Sequence, residues 1–434
     1  MIKLHLQRSS WSLADQAIAS IGGFVTNVIL ARQLSPSEYG VFAVLYGGML
    51  GLQLVNGTLL FHPMSVRVVT ANSADRSKLL QASVILIFAL SAVLGGALAL
   101  ILLVLGYGAL IPPALTCFLC WQVQEGFRRG LLYSLRHKAA TLGDGVSYIG
   151  QGLAIAALAY AGGLTLATAF YAMAVTSALA AVVQTMQLGL RAEGPLRIRE
   201  TAVDYWSIGG LWSLSGGLLS YGRVQVLPWT LALLHGPAAV GAFQAALNIV
   251  NLSNPIIISM GNIIPQTAAQ ASVLGRAHAW RAARNYGFIA MPPLLVFAAV
   301  ILAAPELCLR VLYGPHSDYL DLSLVVRLLA LAAIPTFLTE FAIAYLHGIV
   351  AVRSALAINA VGAVAAVVLA VPMIYMMGVV GGCLALLGAS LARLLTCQIL
   401  TTRAIHYGET GGPVGAPWTW RMKRAGAAHQ ERSS

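Results

Sequence analysis

The stretch Leu218 to Trp229, LLSYGRVQVLPW, sets an arginine in the middle of an apolar run. In a helix, Arg223 lies roughly 16 Å from the nearer end of that run, beyond the reach of a snorkelling side chain. Holding it there in a membrane costs on the order of 2.5 to 3.5 kcal/mol on insertion scales, and no acidic residue lies within a helical turn of it. Charges kept at such a cost line an ion or substrate path, or pair with one another. The acids able to pair with it are Asp15, Glu125, Asp144 and Glu340. Glu125 has nearer partners in Arg128 and Arg129, at i, i+3 and i, i+4. Asp15, Asp144 and Glu340 are the candidate carboxylates for coupling to a proton or a sodium ion.

Polar side chains recur at helical spacing elsewhere. Ser12, Gln16, Ser20, Gly23 and Asn27 share one face of the first apolar segment, with Asp15 beside them. Asp144, Tyr148 and Gln151 repeat at i, i+4, i+7, as do Gln244, Asn248 and Asn251. Such stripes face protein or water, because lipid satisfies none of these groups. They serve either as hydrogen bonds between packed helices or as the wall of a cavity. The cavity reading takes Arg223, Tyr221, Asn27, Gln16, Tyr148, Gln151, Gln244, Asn248 and Asn251 as its lining.

The elements that must position these groups are membrane helices. The chain is 59% hydrophobic and 9% charged, where a soluble protein carries about 25% charged residues. Apolar runs predict twelve spans, at 11–32, 39–61, 80–105, 109–131, 140–160, 165–188, 206–234, 238–262, 285–304, 325–347, 354–376 and 380–403. The start, MIKLHLQRSSWSL, has no small-residue cleavage site behind it and reads as part of a retained first helix. Of the 26 basic residues, all but Arg32, Arg223, Arg310 and Arg327 fall at loops or termini on one side. The positive-inside rule puts that side, with both termini, in the cytoplasm. The net charge of +12 is thereby a signal of orientation, and no nucleic-acid partner is expected. A basic tail over 406–434, rich in Gly and Pro, is expected to be disordered.

One ungapped register lays Trp11, Ser12 and Leu13 on Trp212, Ser213 and Leu214, Pro36 on Pro237, Gly40 on Gly241 and Phe42 on Phe243. Six spans per half is an even number, so the halves share an orientation, related by an axis along the membrane normal. The expected architecture is an all-α polytopic membrane protein of two six-helix lobes. The N-terminal lobe covers 1–188, a cytoplasmic linker 189–205, and the C-terminal lobe 206–405.

The phrase ILARQLSPSEYGVFAV, at 29–44, resembles one that ends the first helix of bacterial polysaccharide and O-antigen flippases. These belong to the multidrug/oligosaccharidyl-lipid/polysaccharide (MOP) exporter superfamily. Leu30, Ala31, Arg32, Leu34, Pro36, Glu38, Tyr39, Gly40 and Phe42 carry the likeness. The resemblance implies a MOP/MATE-like fold and a carrier that moves undecaprenyl-pyrophosphate-linked oligosaccharide outward across the bacterial inner membrane. It implies partners in the lipids themselves and in polymerase and glycosyltransferase machinery. An anionic pyrophosphate would account for Arg223, whose planar guanidinium binds phosphate oxygens in pairs. The surrounding amides, tyrosines and serines would hold sugar hydroxyls.

The main alternative is a multidrug efflux antiporter of the same superfamily, with Asp15, Asp144 or Glu340 binding protons or sodium. Carriers of organic cations favour acidic cavities, whereas the deepest charge here is positive. No GxSxG, HExxH, P-loop or zinc spacing occurs in context, so neither catalysis nor a cofactor or metal is expected. The CxxC of Cys117 and Cys120 reads as two small apolar residues of a membrane helix.

Overall fold

The computed structural model describes residues 2–190 and 195–406, and the tail expected beyond 406 lies outside them. Among the described residues there is no strand. The helices are α1 (Ile2–Gln33), α2 (Pro36–Asn56), α3 (His62–Thr70), α4 (Ser73–Val104), α5 (Ile111–Tyr133), α6 (His137–Asp144), α7 (Gly150–Tyr160) and α8 (Leu166–Leu188). There follow α9 (Ile198–His235), α10 (Pro237–Asn251), α11 (Asn254–Ala271), α12 (Arg276–Ala303), α13 (Pro305–Tyr313), α14 (Ser323–Gly348) and α15 (Val352–His406).

All twelve expected spans fall on helix, with differences that have local causes. The runs 354–376 and 380–403 form one element, α15, whose backbone leaves the helical region at Gly378 (φ 56°). The run 238–262 is not one continuous span: α10 and α11 meet at a 55° bend, where Pro255 opens α11. Between α6 and α7 lies a π-helical turn, Gly145–Ile149, and another, Gly57–Phe61, follows α2. Among the described residues, seven helices are long and apolar enough to cross a membrane, and the bent pair makes an eighth. The remaining expected spans, 109–131, 140–160 and 206–234, lie on α5, on α6 with α7, and on α9. The π turn divides 140–160 into two short helices, while α5 and α9 carry Arg128 and Arg223.

The chain forms two compact units. One holds the chain through Ile249 together with Glu306–Val326 and Ala370–Gly382, and the other holds Val250–Pro305, Arg327–Leu369 and the chain from Cys383. In the first, α5 packs on α8 and α4. Tyr39, Phe42, Tyr46 and Trp121 stack in sequence at centroid distances of 6.2, 5.5 and 5.8 Å. The opposite face of α4 exposes Val93, Leu100, Leu103 and Val104, a patch suited to lipid rather than water. In the second unit, Met260, Ile264, Leu294, Phe337 and Ile358 are buried together. Trp280 meets Phe341 and Tyr345 edge-on, at 5.5 and 5.0 Å.

The phrase at 29–44 has a physical role at nearly every position. Ser35 caps α2 and Glu38 returns the bond, so both halves of a capping box are made. Pro36 occupies the first turn, where its missing N–H costs nothing. Arg32 donates to the carbonyls of Val311 and Leu312 at the end of α13, a position that favours a cation. Gly40 and Gly241 form a reciprocal contact: a Cβ on Gly40 would run into the Pro237 carbonyl, and one on Gly241 into that of Pro36. Residues paired by the internal repeat thus meet one another, as two equivalent segments about a pseudo-twofold axis do.

Candidate functional site

The charged centre of the first unit is Arg128, near the end of α5. Its guanidinium is bonded by carboxylates from three helices: Asp15 of α1 at 2.6 Å, Asp144 of α6 at 2.5 Å and Glu125 of α5 at 3.3 Å. Glu125 also binds Arg129 at 2.6 Å. Arg128 and the three carboxylates around it are nearly closed to solvent, with Asp144 fully buried. Gln124 and Gln184 approach the other Asp144 oxygen, at 3.5 Å each. Asp15 Oδ1 is buried and has no hydrogen-bond partner among the described residues. Three carboxyl groups face two guanidiniums, one acid more than the arginines can pair with one to one. Asp144 is the last residue of α6, directly before the π turn. Such turns rotate the following side chains out of helical register and recur at functional sites.

A second network joins the amides. Tyr39 donates to Asn27 Oδ1 at 3.2 Å and receives Asn248 Nδ2 at 2.8 Å. Asn248 also reaches the Tyr313 hydroxyl at 3.4 Å and accepts from Gln244 at 3.1 Å. Asn27 donates to the Gly23 carbonyl, one turn back on its own helix. These bonds knit α1, α2, α10 and α13 together.

Arg223 is half-buried on α9. Two residues before it, Tyr221 donates to the Gly47 carbonyl, and two residues after it Gln225 is buried against Gly47. Gly47 and Gly51 of α2 form a GxxxG stripe that admits these side chains. A step of two residues turns a helix by about 200°, so Arg223 faces away from α2. Each of the four carboxylates considered as its partner bonds another arginine. Asp15, Asp144 and Glu125 hold Arg128, while in the second unit Glu340 receives Arg393 at 2.8 Å.

The sequence candidates therefore separate. Asp15 and Asp144 come together; Asn27, Gln244 and Asn248 come together through Tyr39; Gln151 donates to Thr26 at 3.3 Å, and Tyr148 packs beneath Gly22. Gln16 is exposed, and Asn251 is half-buried at the α10–α11 bend. Sequence reasoning paired Arg128 with Glu125 but missed that Asp15 and Asp144 converge on it too, and it took Arg393 for an orientation charge. Arg393 is buried, bonding Glu340 and, at 2.9 Å, Asn359. The available signal was the spacing of Arg128 from Glu125, combined with the lone Asp144 one hairpin later.

No protein-family model matches the chain, and no curated protein matches it at a significant level. Solved structures share its fold. An inward-facing multidrug resistance MATE family transporter of the MOP superfamily superposes with a TM-score of 0.72, over 91% of this chain and 96% of that one, at 16% identity. The lipid II flippase MurJ, inward closed, gives 0.66 at 12% identity, over 90% and 86%. A MOP superfamily transporter from Pyrococcus furiosus, whose reversed pocket polarity suggests a different function for it, gives 0.64 at 14% identity, over 92% and 94%. The chain is a multi-pass membrane protein with the MOP superfamily fold.

Proposed function

We propose that the protein is a flippase that moves a lipid-linked oligosaccharide, carried on undecaprenyl pyrophosphate, across the bacterial inner membrane for surface or exopolysaccharide assembly. Transport proceeds by alternating access of the lobes 1–188 and 206–405 about the linker 189–205, with both termini in the cytoplasm. Polymerase and glycosyltransferases act beside it. The observation that carries this reading is the placement of charge. Arg223 is half-buried in the apolar part of α9, on the face opposite Tyr221 and Gln225, which pack on α2. A guanidinium there suits a phosphate and repels an organic cation. The likeness to the lipid II flippase MurJ supports this reading.

The alternative, cation-coupled multidrug efflux, draws on the third carboxyl group of the Arg128 cluster and on the MATE neighbour. The Arg223→Ala variant separates the two. Lipid-linked oligosaccharide export is expected to fail while the amount of folded protein in the membrane holds, because removing the charge relieves an insertion cost of about 3 kcal/mol. Arg223→Lys is expected to restore export partly, as a point charge without the paired donors. Normal export by the alanine variant removes Arg223 from the mechanism.

A further inference from the structure

The turn from α5 into α6 lines a cavity of about 330 Å³ that lies outside the proposed transport path. Trp11 of α1, Gln187 of α8 and Arg136, His137, Lys138 and Leu142 line it. Three consecutive basic residues border one opening, and among the described residues no carboxylate lines it. Leu135 makes the turn possible with a φ of 59°, a left-handed conformation that a leucine adopts only when its surroundings enforce it. The Lys138 ammonium stands 5.8 Å from the centre of the Trp11 ring, within cation–π range. His137 Nδ1 and Gln187 Oε1 are buried and meet no hydrogen-bond partner among the described residues. No side chain caps the first turn of α6. Leu135 and Leu142 are each about half exposed, so apolar surface adjoins the charge.

We propose that this cavity binds the phosphate headgroup of an anionic membrane glycerolipid. Arg136 and Lys138 hold the phosphate, Gln187 accepts a headgroup hydroxyl, and Leu135, Leu142 and Trp11 meet the glycerol and the first acyl carbons. A soluble phosphate would leave that apolar wall without a function. Helix ends carrying Trp and Lys are where membrane proteins meet the headgroup layer. Since α6 runs from His137 to Asp144, a lipid at its first turn tethers the helix whose last residue bonds Arg128.

The test is photo-crosslinking of the full chain in phosphatidylcholine nanodiscs containing a photoreactive phosphatidylglycerol, with labelled peptides read by mass spectrometry. Label is expected on 135–142 or on Trp11, displaced by excess unlabelled phosphatidylglycerol and not by phosphatidylcholine. At about fivefold for each basic side chain, the double variant Arg136→Gln, Lys138→Gln loses about 25-fold of that label. Removing the exposed charges Arg281 and Arg284 leaves it unchanged. Label elsewhere, or undiminished label in the double variant, overturns the proposal. So does displacement by glycerol phosphate in solution, which would mark a site for free phosphate, or by undecaprenyl phosphate at lower concentration than phosphatidylglycerol, which would mark a substrate site. If the double variant does not fold, the wild-type map and its competition profile decide.

Discussion

Arg128 and Arg393 are both arginines buried inside bundles of membrane helices, yet their surroundings differ. Arg128 draws carboxyl groups from three helices, one acid more than Arg128 and Arg129 can pair with one to one. Arg393 has one carboxylate, Glu340, and the amide oxygen of Asn359, so its charge is balanced. Glu340 remains about one-third exposed, whereas Asp144 has no access to solvent. Burying ions is costly unless they are paired. The balanced site is therefore a clamp between α14 and α15, while the first unit holds more carboxylate than neutralising its arginine requires.

The comparison can be broken most forcefully at Arg128. Arg128→Ala leaves three buried carboxylates with only Arg129 nearby, and a stability loss of about 3 to 5 kcal/mol is expected. It is measured as thermal or denaturant unfolding in detergent beside the amount of folded protein in membranes. Arg393→Ala leaves one part-exposed carboxylate and one amide, and the same measurement should show a smaller loss, about 1 to 3 kcal/mol. Equal losses would erase the distinction between the two sites. The finest test is Asp15→Asn, because Arg128 keeps Asp144 and Glu125. A loss below about 1.5 kcal/mol is expected. A loss as large as that of Arg128→Ala would mean that all three carboxylates are needed for folding and that none is surplus.

Much of the fold was legible because the bilayer imposes a simple code. Apolar runs of about 20 residues must be helical, and every expected run falls on helix, though 140–160 and 238–262 are each divided between two. The phrase at 29–44 was readable for a related reason: capping box, first-turn proline and close-contact glycine are local devices whose residue types announce their geometry. The bend between α10 and α11 was half legible, since Pro255 marked it without showing that the axis turns by 55°. The site was less legible. Asn27 and Asn248 were expected to line one cavity, and the structure joins them through Tyr39, which carries no helical-spacing signal of its own.

What the amino-acid order determined by itself is therefore the class of protein, the helices, the internal repeat and the positions of the costly charges. These follow from transfer energies and helical periodicity, which act within a segment or between its neighbours. Only the tertiary structure decided which charges neutralise one another. Asp15 and Arg128 lie far apart in the chain and end 2.6 Å apart, while the acids that composition offered to Arg223 bond Arg128, Arg129 and Arg393. Charge pairing depends on distance in space, and in a helical bundle that distance is set by the packing of whole faces, of which a one-dimensional pattern records only the period.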